Sequence, residues 1–230
     1  HRDLHSFPTR RSSDLLKEAR EAGIPVVTAD FQDVSSLCNV STNNYSAMAE
    51  LVLKMVGDMH GEGELAVFFR PGSPIAELRK GVLDLVLRAY PRVKIVAQEA
   101  YVVPGTVPDA YNKAKDMLRA NPEIDAFWTV FDMPMIGAAQ AIGDLKMGDK
   151  VGTYGFDGDP TAMKMIQDPA SGYRATVAQQ PYLIGQTLAD VALDVVAGRN
   201  VPVMKFVPHV LVTSENVDEV LATLPQYKQK

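Results

Sequence analysis

The sequence predicts an α/β protein built on doubly wound parallel sheet, and two patterns predict it. Short runs rich in Val, Ile and Phe alternate with longer segments of helical period, as βα units do. Most of the short runs are apolar on both faces, which suits strands covered by helices on both sides of a sheet.

Seven strands are expected in order: "IPVVTAD" (Ile24–Asp30), "ELAVFF" (Glu64–Phe69), "VKIVAQEAY" (Val93–Tyr101), "DAFWTVF" (Asp125–Phe131), "KVGTYGF" (Lys150–Phe156), "YRATVAQ" (Tyr173–Gln179) and "FVPHVLVT" (Phe206–Thr213). Between them, "YSAMAELVLKMVGDM" aligns Met48, Leu51, Val52, Met55 and Met59 on one helical stripe and stops at Gly61. "IAELRKGVLDLVLRAYP" aligns Leu78, Val82, Leu85 and Val86 and stops at Pro91. Asp159 is the expected N-cap of the helix that Pro160 opens. A helix from Pro181 ends at Gly198, and Ser214 is expected to cap the last one.

With 47% apolar residues the chain has enough hydrophobic material for a sizeable core, as one large or two small domains. The net charge of -5 argues against a surface for nucleic acid. Cys38 is alone, so it forms no internal disulfide and is expected to be a small buried hydrophobe. No apolar run reaches the roughly 18 residues of a spanning helix.

The first fifteen residues, "HRDLHSFPTRRSSDL", show neither helical nor strand periodicity. Their back-translation resembles a common short-read sequencing adapter. His1–Leu15 is therefore read as non-native and set apart from the fold.

In an open parallel sheet, ligands bind beyond the carboxyl ends of the strands. Asp30, Phe131 with Asp132, Asp157 and Gln179 end predicted strands, and Arg79 lies early on the helix that follows Glu64–Phe69. Carboxylates accept from neighbouring hydroxyls, a guanidinium donates in a fork, and a ring covers an apolar C–H face. The set suits a neutral polyhydroxyl ligand. Trp128, three residues before Phe131, is expected on the opposite face and in the core. Catalytic patterns are weak: the sequence has no G-x-S-x-G, P-loop or H-E-x-x-H motif, and His60 and His209 have no nearby metal-ligating partner. No enzyme activity, metal or cofactor is expected.

The same residues resemble the type I periplasmic binding proteins, in particular the ribose-binding-like solute receptors of sugar ABC transporters. The matching motifs are "EAGIPVVTAD", "STNNYSAM", "GEGELAVFF", "ELRKGVLDLVLRAYP", "IDAFWTVFDMPMIGAAQAI", "VGTYGFDG", "YRATVAQQPYLIGQ" and "HVLVTSENV", which run in register from Leu16 to about Val220. The resemblance implies two α/β lobes that close on a sugar. Residues 16–43 and 180–206 would form an incomplete N-terminal lobe, lacking three strands, and 44–179 with 207–230 the C-terminal lobe. It implies ligand contacts from Asp30, Phe31, Arg79, Phe131, Asp132, Asp157 and Gln179. Phe31 stands where ribose binders often have arginine, and Phe131 where they often have asparagine. A different pentose, a hexose or another polyol-like solute is therefore expected rather than ribose. The resemblance further implies a monomeric receptor that delivers its solute to permease subunits in the membrane. Its place would be periplasmic or at the cell envelope, its signal peptide lost with the missing N-terminus. The alternative is the effector domain of a LacI-type repressor without its helix-turn-helix, against which "GEGELAVFF" speaks. An enzyme of doubly wound fold comes last, for want of a nucleophile or cofactor loop.

Overall fold

The computed structural model describes residues 12–30 and 33–228, and its chain divides into two compact units. The smaller comprises residues up to Thr42 and Pro181–Val207, and the larger Asn43–Gln180 and Pro208–Lys230.

The smaller unit holds α1 (Ser12–Glu21), β1 (Val27–Ala29) and β2 (Cys38–Thr42) from the first segment. After the larger unit's first segment, which carries α2–α6 and β3–β7, it adds α7 (Pro181–Val196) and β8 (Met204–Val207). Its strands run parallel in the order β1-β2-β8. Cys38, Val40, Ile184, Val191 and Val207 are its buried cluster, so Cys38 is the buried hydrophobe expected of it. The strand β2 was not foreseen. Asn39, Ser41 and Thr42 interrupt any apolar run, yet all five β2 residues are buried. Ser41 donates to Asp30 Oδ1 at 2.7 Å, and Thr28 Oγ1 lies 3.2 Å from Asn39 Oδ1. Helix α1 starts at Ser12, inside the stretch set apart as non-native, with Asp14 in its first turn, where a carboxylate favours a helix.

In the larger unit, α2 (Asn44–Asp58), β3 (Gly63–Phe68), α3 (Pro74–Ala89), β4 (Val93–Glu99) and α4 (Thr106–Ala120) come first. They lead to β5 (Ile124–Thr129), α5 (Asp132–Asp144), β6 (Gly152–Asp157), α6 (Pro160–Ile166) and β7 (Tyr173–Ala178). The return segment supplies β9 (Val210–Thr213) and α8 (Val217–Thr223). The sheet order is β4-β3-β5-β6-β7-β9, parallel except for β9. The direction of winding reverses between β3 and β5, and right-handed crossovers then place α3 on one face and α4, α5 and α6 on the other. Gly137 makes the α4–α5 contact possible: a Cβ there would overlap the backbone of Val107 and Tyr111.

Phe68, Phe127, Trp128, Tyr154 and Phe156 are the largest fully buried side chains, and the Phe68 and Phe127 rings stack with centroids 6.1 Å apart. The α2 stripe is buried as expected. On α3 the stripe is Ala76, Arg79, Val82 and Leu83, while Leu85, expected inside, is 63% exposed. The single strand expected at Phe206–Thr213 is two, β8 and β9, one in each unit. Pro208 lies between them and has no N–H to continue a ladder. Asp159 caps α6 as expected, accepting from Thr161 N at 2.7 Å. Ser214 does not cap α8. That position falls to Asn216, whose side chain instead accepts from Thr213 N and donates to Leu211 O, both at 2.9 Å.

Candidate functional site

The strand order reverses between β3 and β5, and beyond the carboxyl ends of the strands, where open parallel sheets bind ligands, side chains that follow β3, β6 and β7 meet. Arg79, on the first turns of α3, is 4% exposed rather than on a solvated face. Its Nε donates to Asn44 Oδ1 at 2.9 Å and its Nη1 to the Val130 carbonyl at 2.6 Å. The guanidinium carbon sits 3.6 Å above the Phe156 ring centroid, a cation–π contact that fixes the plane of the fork. So held, Nη1 comes 3.6 Å from Asp157 Oδ1.

Asp157 is the last residue of β6 and has φ 126°, a conformation that side-chain-bearing residues rarely adopt. Its side chain remains 41% exposed. Gln179, just past β7, donates from Nε2 to the same Oδ1 at 2.9 Å, while its Oε1 is buried without a partner among the described residues. Burial pushes the Asp157 carboxyl up to about 6, against the opposing pull of Arg79 and Gln179. The same oxygen thus faces both the Arg79 cation and the Gln179 amide, on a side chain that remains partly exposed.

Phe131 has left the strand: β5 ends at Thr129, and Phe131 is the N-cap residue of α5, half-buried in extended backbone. The Tyr101 ring meets it edge to face with centroids 4.8 Å apart, and burial pushes the Tyr101 hydroxyl up, against the opposing pull of Arg70 and Arg79. Tyr101 was not foreseen as a site residue. Its position just beyond β4, at the strand-end rim, was the available signal. Trp128 is fully buried, as expected.

Asp132 departs from the expectation. It is 1% exposed, and its carboxylate faces inward on three protein donors: Asp159 N at 2.7 Å, the Tyr173 hydroxyl at 2.8 Å and Thr176 Oγ1 at 2.7 Å. Burial and the charge of Asp157 push its carboxyl up to about 7, against those donors. A carboxylate so enclosed is committed to partners within the fold.

In the smaller unit Asp30 follows β1 with φ 51° and accepts from Ser41. Phe31 lies outside the described residues. Among the described residues no group of three or more His, Cys, Asp or Glu side chains converges as a metal site requires, and no helix is long and apolar enough to cross a membrane.

Residues 8–200 match the model of the periplasmic binding protein domain family. The chain belongs to that family. As a periplasmic binding protein domain it is 29% identical, over 182 residues, to the D-allose-binding periplasmic protein of Escherichia coli K12. It is 27% identical, over 195 residues, to the ribose import binding protein of Bacillus subtilis 168. These alignments take in 76% and 82% of the chain but 57% and 60% of the relatives, so the domain spans about three fifths of their length. Among solved structures it is similar to an ABC sugar transporter subunit from Rhodobacter sphaeroides 2.4.1, with 38% identity and a TM-score of 0.82 over 87% of this chain and 73% of that one. It is also similar to an ABC transporter solute-binding protein from Agrobacterium vitis with bound allitol. That match has 36% identity and a TM-score of 0.85 over 91% of this chain and 73% of that one.

Proposed function

We propose that this chain serves as the solute receptor of a sugar ABC transporter, capturing a monosaccharide or a related polyol and passing it to membrane permease subunits at the cell envelope. The observation that carries this reading is the Asp157 cluster: a partly exposed carboxylate at the carboxyl end of β6, one oxygen of which faces Arg79 and accepts from Gln179. The remaining carboxylate oxygen is an acceptor for paired hydroxyls, and the Phe131–Tyr101 pair is a wall for a C–H face. Allitol, bound in the Agrobacterium vitis relative, is a ligand of this kind. The relatives named above are transport proteins, which favours a receptor over a repressor's effector domain. The reading requires binding and no bond making. It also takes the chain as a monomer that binds no nucleic acid.

The two units correspond on this reading to the lobes of the receptor, with Asp30 and Phe31 as contacts from the smaller one. The test is a thermal-shift screen, on the protein expressed from its complete reading frame, of aldopentoses, aldohexoses and the derived alditols, followed by calorimetry. At least one member is expected to raise the melting temperature. Asp157→Ala is expected to weaken its binding by about 1.5–3 kcal/mol, the usual worth of hydrogen bonds to a charged group. Failure of every sugar and alditol to bind would overturn the reading.

A further inference from the structure

The turn that carries Asp157 is held from beneath by groups that the sugar-binding reading does not use. The main chain through Asp157, Gly158 and Asp159 takes φ values of 126° and 74° at its first two residues before Asp159 caps α6. Such a turn needs outside support to stay in one conformation. The support is complete. Asp132 Oδ2 accepts the Asp159 N–H at 2.7 Å. Thr176 Oγ1 accepts the Gly158 N–H at 3.3 Å and donates in turn to Asp132 Oδ1 at 2.7 Å. Tyr173 donates its hydroxyl to that same Oδ1 at 2.8 Å, and Tyr227 donates to the Gly158 carbonyl at 2.6 Å. Asp132, Tyr173 and Thr176 are all buried, so the chain of bonds runs where water does not compete.

The surrounding glycines are cut to fit this arrangement. At Gly155 a Cβ would overlap Asp132 Oδ1 and the Tyr173 hydroxyl. At Gly158 it would overlap the Tyr227 hydroxyl and Ala178, so space and backbone angle both demand glycine there. Two backbone N–H groups, the Gly158 carbonyl, three hydroxyls and one carboxylate thus form a connected set of partners around the turn, each hydroxyl donating to an oxygen of the set.

We propose that the buried Asp132–Thr176–Tyr173 cluster is the positioning device for Asp157, fixing the direction in which that carboxylate is presented to the solute. Asp132 touches no ligand in this scheme and acts through the N–H groups of Gly158 and Asp159. The inference rests on Asp157 being a ligand contact, and the experiment separates the two ideas.

The sugar or alditol that gives the strongest thermal shift is titrated by calorimetry into wild type, Asp157→Ala, Asp132→Asn, Thr176→Val and Thr176→Ser. Amide NMR of the Gly158 and Asp159 signals reports the turn in each free protein. Asp132→Asn and Thr176→Val are each expected to weaken binding on the order of tenfold, as loss of a buried partner does, and to shift both amide signals. Thr176→Ser keeps the hydroxyl and is expected to return affinity to within about twofold of wild type, which a role in packing the threonine methyl would not allow. Should Asp132→Asn fail to fold, the valine and serine pair still decides. If Asp157→Ala weakens binding while Thr176→Val does not, the site reading stands and the positioning role falls. Equal losses in Thr176→Val and Thr176→Ser overturn it too, since the hydroxyl is then not the active group. If Asp157→Ala binds as wild type does, the site reading fails first and the positioning role with it.

Discussion

The two units are made from the same βα pattern and differ in what they bury. In the larger, β3, β5, β6 and β7 are buried along nearly their whole length, and α2 turns seven residues inward. In the smaller, β1 has no fully buried residue, and α7, a helix of similar length and more apolar composition, buries only Ile184 and Val191. Leu193 and Val196 on that helix are 64% and 80% exposed, and Phe206 on β8 is 49% exposed. Hydrophobic content therefore does not set burial by itself: a sheet covered on both faces converts it into core. The carboxylate proposed to meet the solute, Asp157, with its brace, belongs to the better packed unit.

The largest expected effect breaks the comparison most directly. Phe127 is fully buried and stacked on Phe68, so Phe127→Ala should cost about 3–5 kcal/mol. Leu193→Ala, at an exposed site in the smaller unit, should stay within about 0.5 kcal/mol. Hydrogen exchange resolves the units separately. The first substitution should speed exchange of β3 and β5 amides on the order of a thousandfold, and leave those of β2 unchanged. Equal acceleration in β2 would mean that the two units unfold as one.

A smaller effect sharpens the contrast in electrostatics. Asp132 and Asp157 have folded pKa values of about 7 and about 6, both above the ordinary carboxylate range. Between about pH 4 and pH 7 the folded larger unit therefore binds more protons than the unfolded chain, so these two groups favour folding at low pH and that contribution is lost as pH rises. For the fully enclosed Asp132 the loss is about 4 kcal/mol, and for the partly exposed Asp157, which water screens, it is less. Denaturation of wild type and Asp132→Asn across that window should show a shallower fall with pH in the variant. A parallel pair of curves would rule out a titrating Asp132.

Much of this was legible in the sequence, and the exceptions share a cause. Apolar runs and glycine or proline stops mark the larger unit's strands and α2, because double-sided burial writes itself into composition. β2 was hidden, since Asn39 and Ser41 are buried against partners that lie far along the chain, such as Met204, whose sulfur is 3.5 Å from Asn39 Nδ2. Asp30 and Gln179 follow β1 and β7 directly and Asp157 ends β6, the strand-end positions expected of them. Asp132, which the sequence placed at a strand end as well, opens α5 three residues beyond β5 and is buried. What separates it from Asp157 is the room that Gly155 leaves beneath it and the inward hydroxyls of Tyr173 and Thr176, none of which a strand-end pattern encodes.

The smallest expected effect sets two helix starts within the larger unit against each other. Asp159 and Ser214 have the residue types that cap helices, and both stand just before one. Asp159 accepts the Thr161 N–H at 2.7 Å, so Asp159→Ala removes a bond that the first turn of α6 uses and should cost about 0.5–2 kcal/mol. Ser214 lies in the turn before α8, where Asn216 closes the chain onto Thr213 and Leu211. Ser214→Ala should therefore change stability by less than about 0.5 kcal/mol, whereas Asn216→Ala should cost about 1–3 kcal/mol by leaving two main-chain groups without their partner. Urea melts of the three variants decide the order. A loss at Ser214 as large as that at Asp159 would show that the α8 start is held by the serine after all, and that residue type outweighs geometry at this turn.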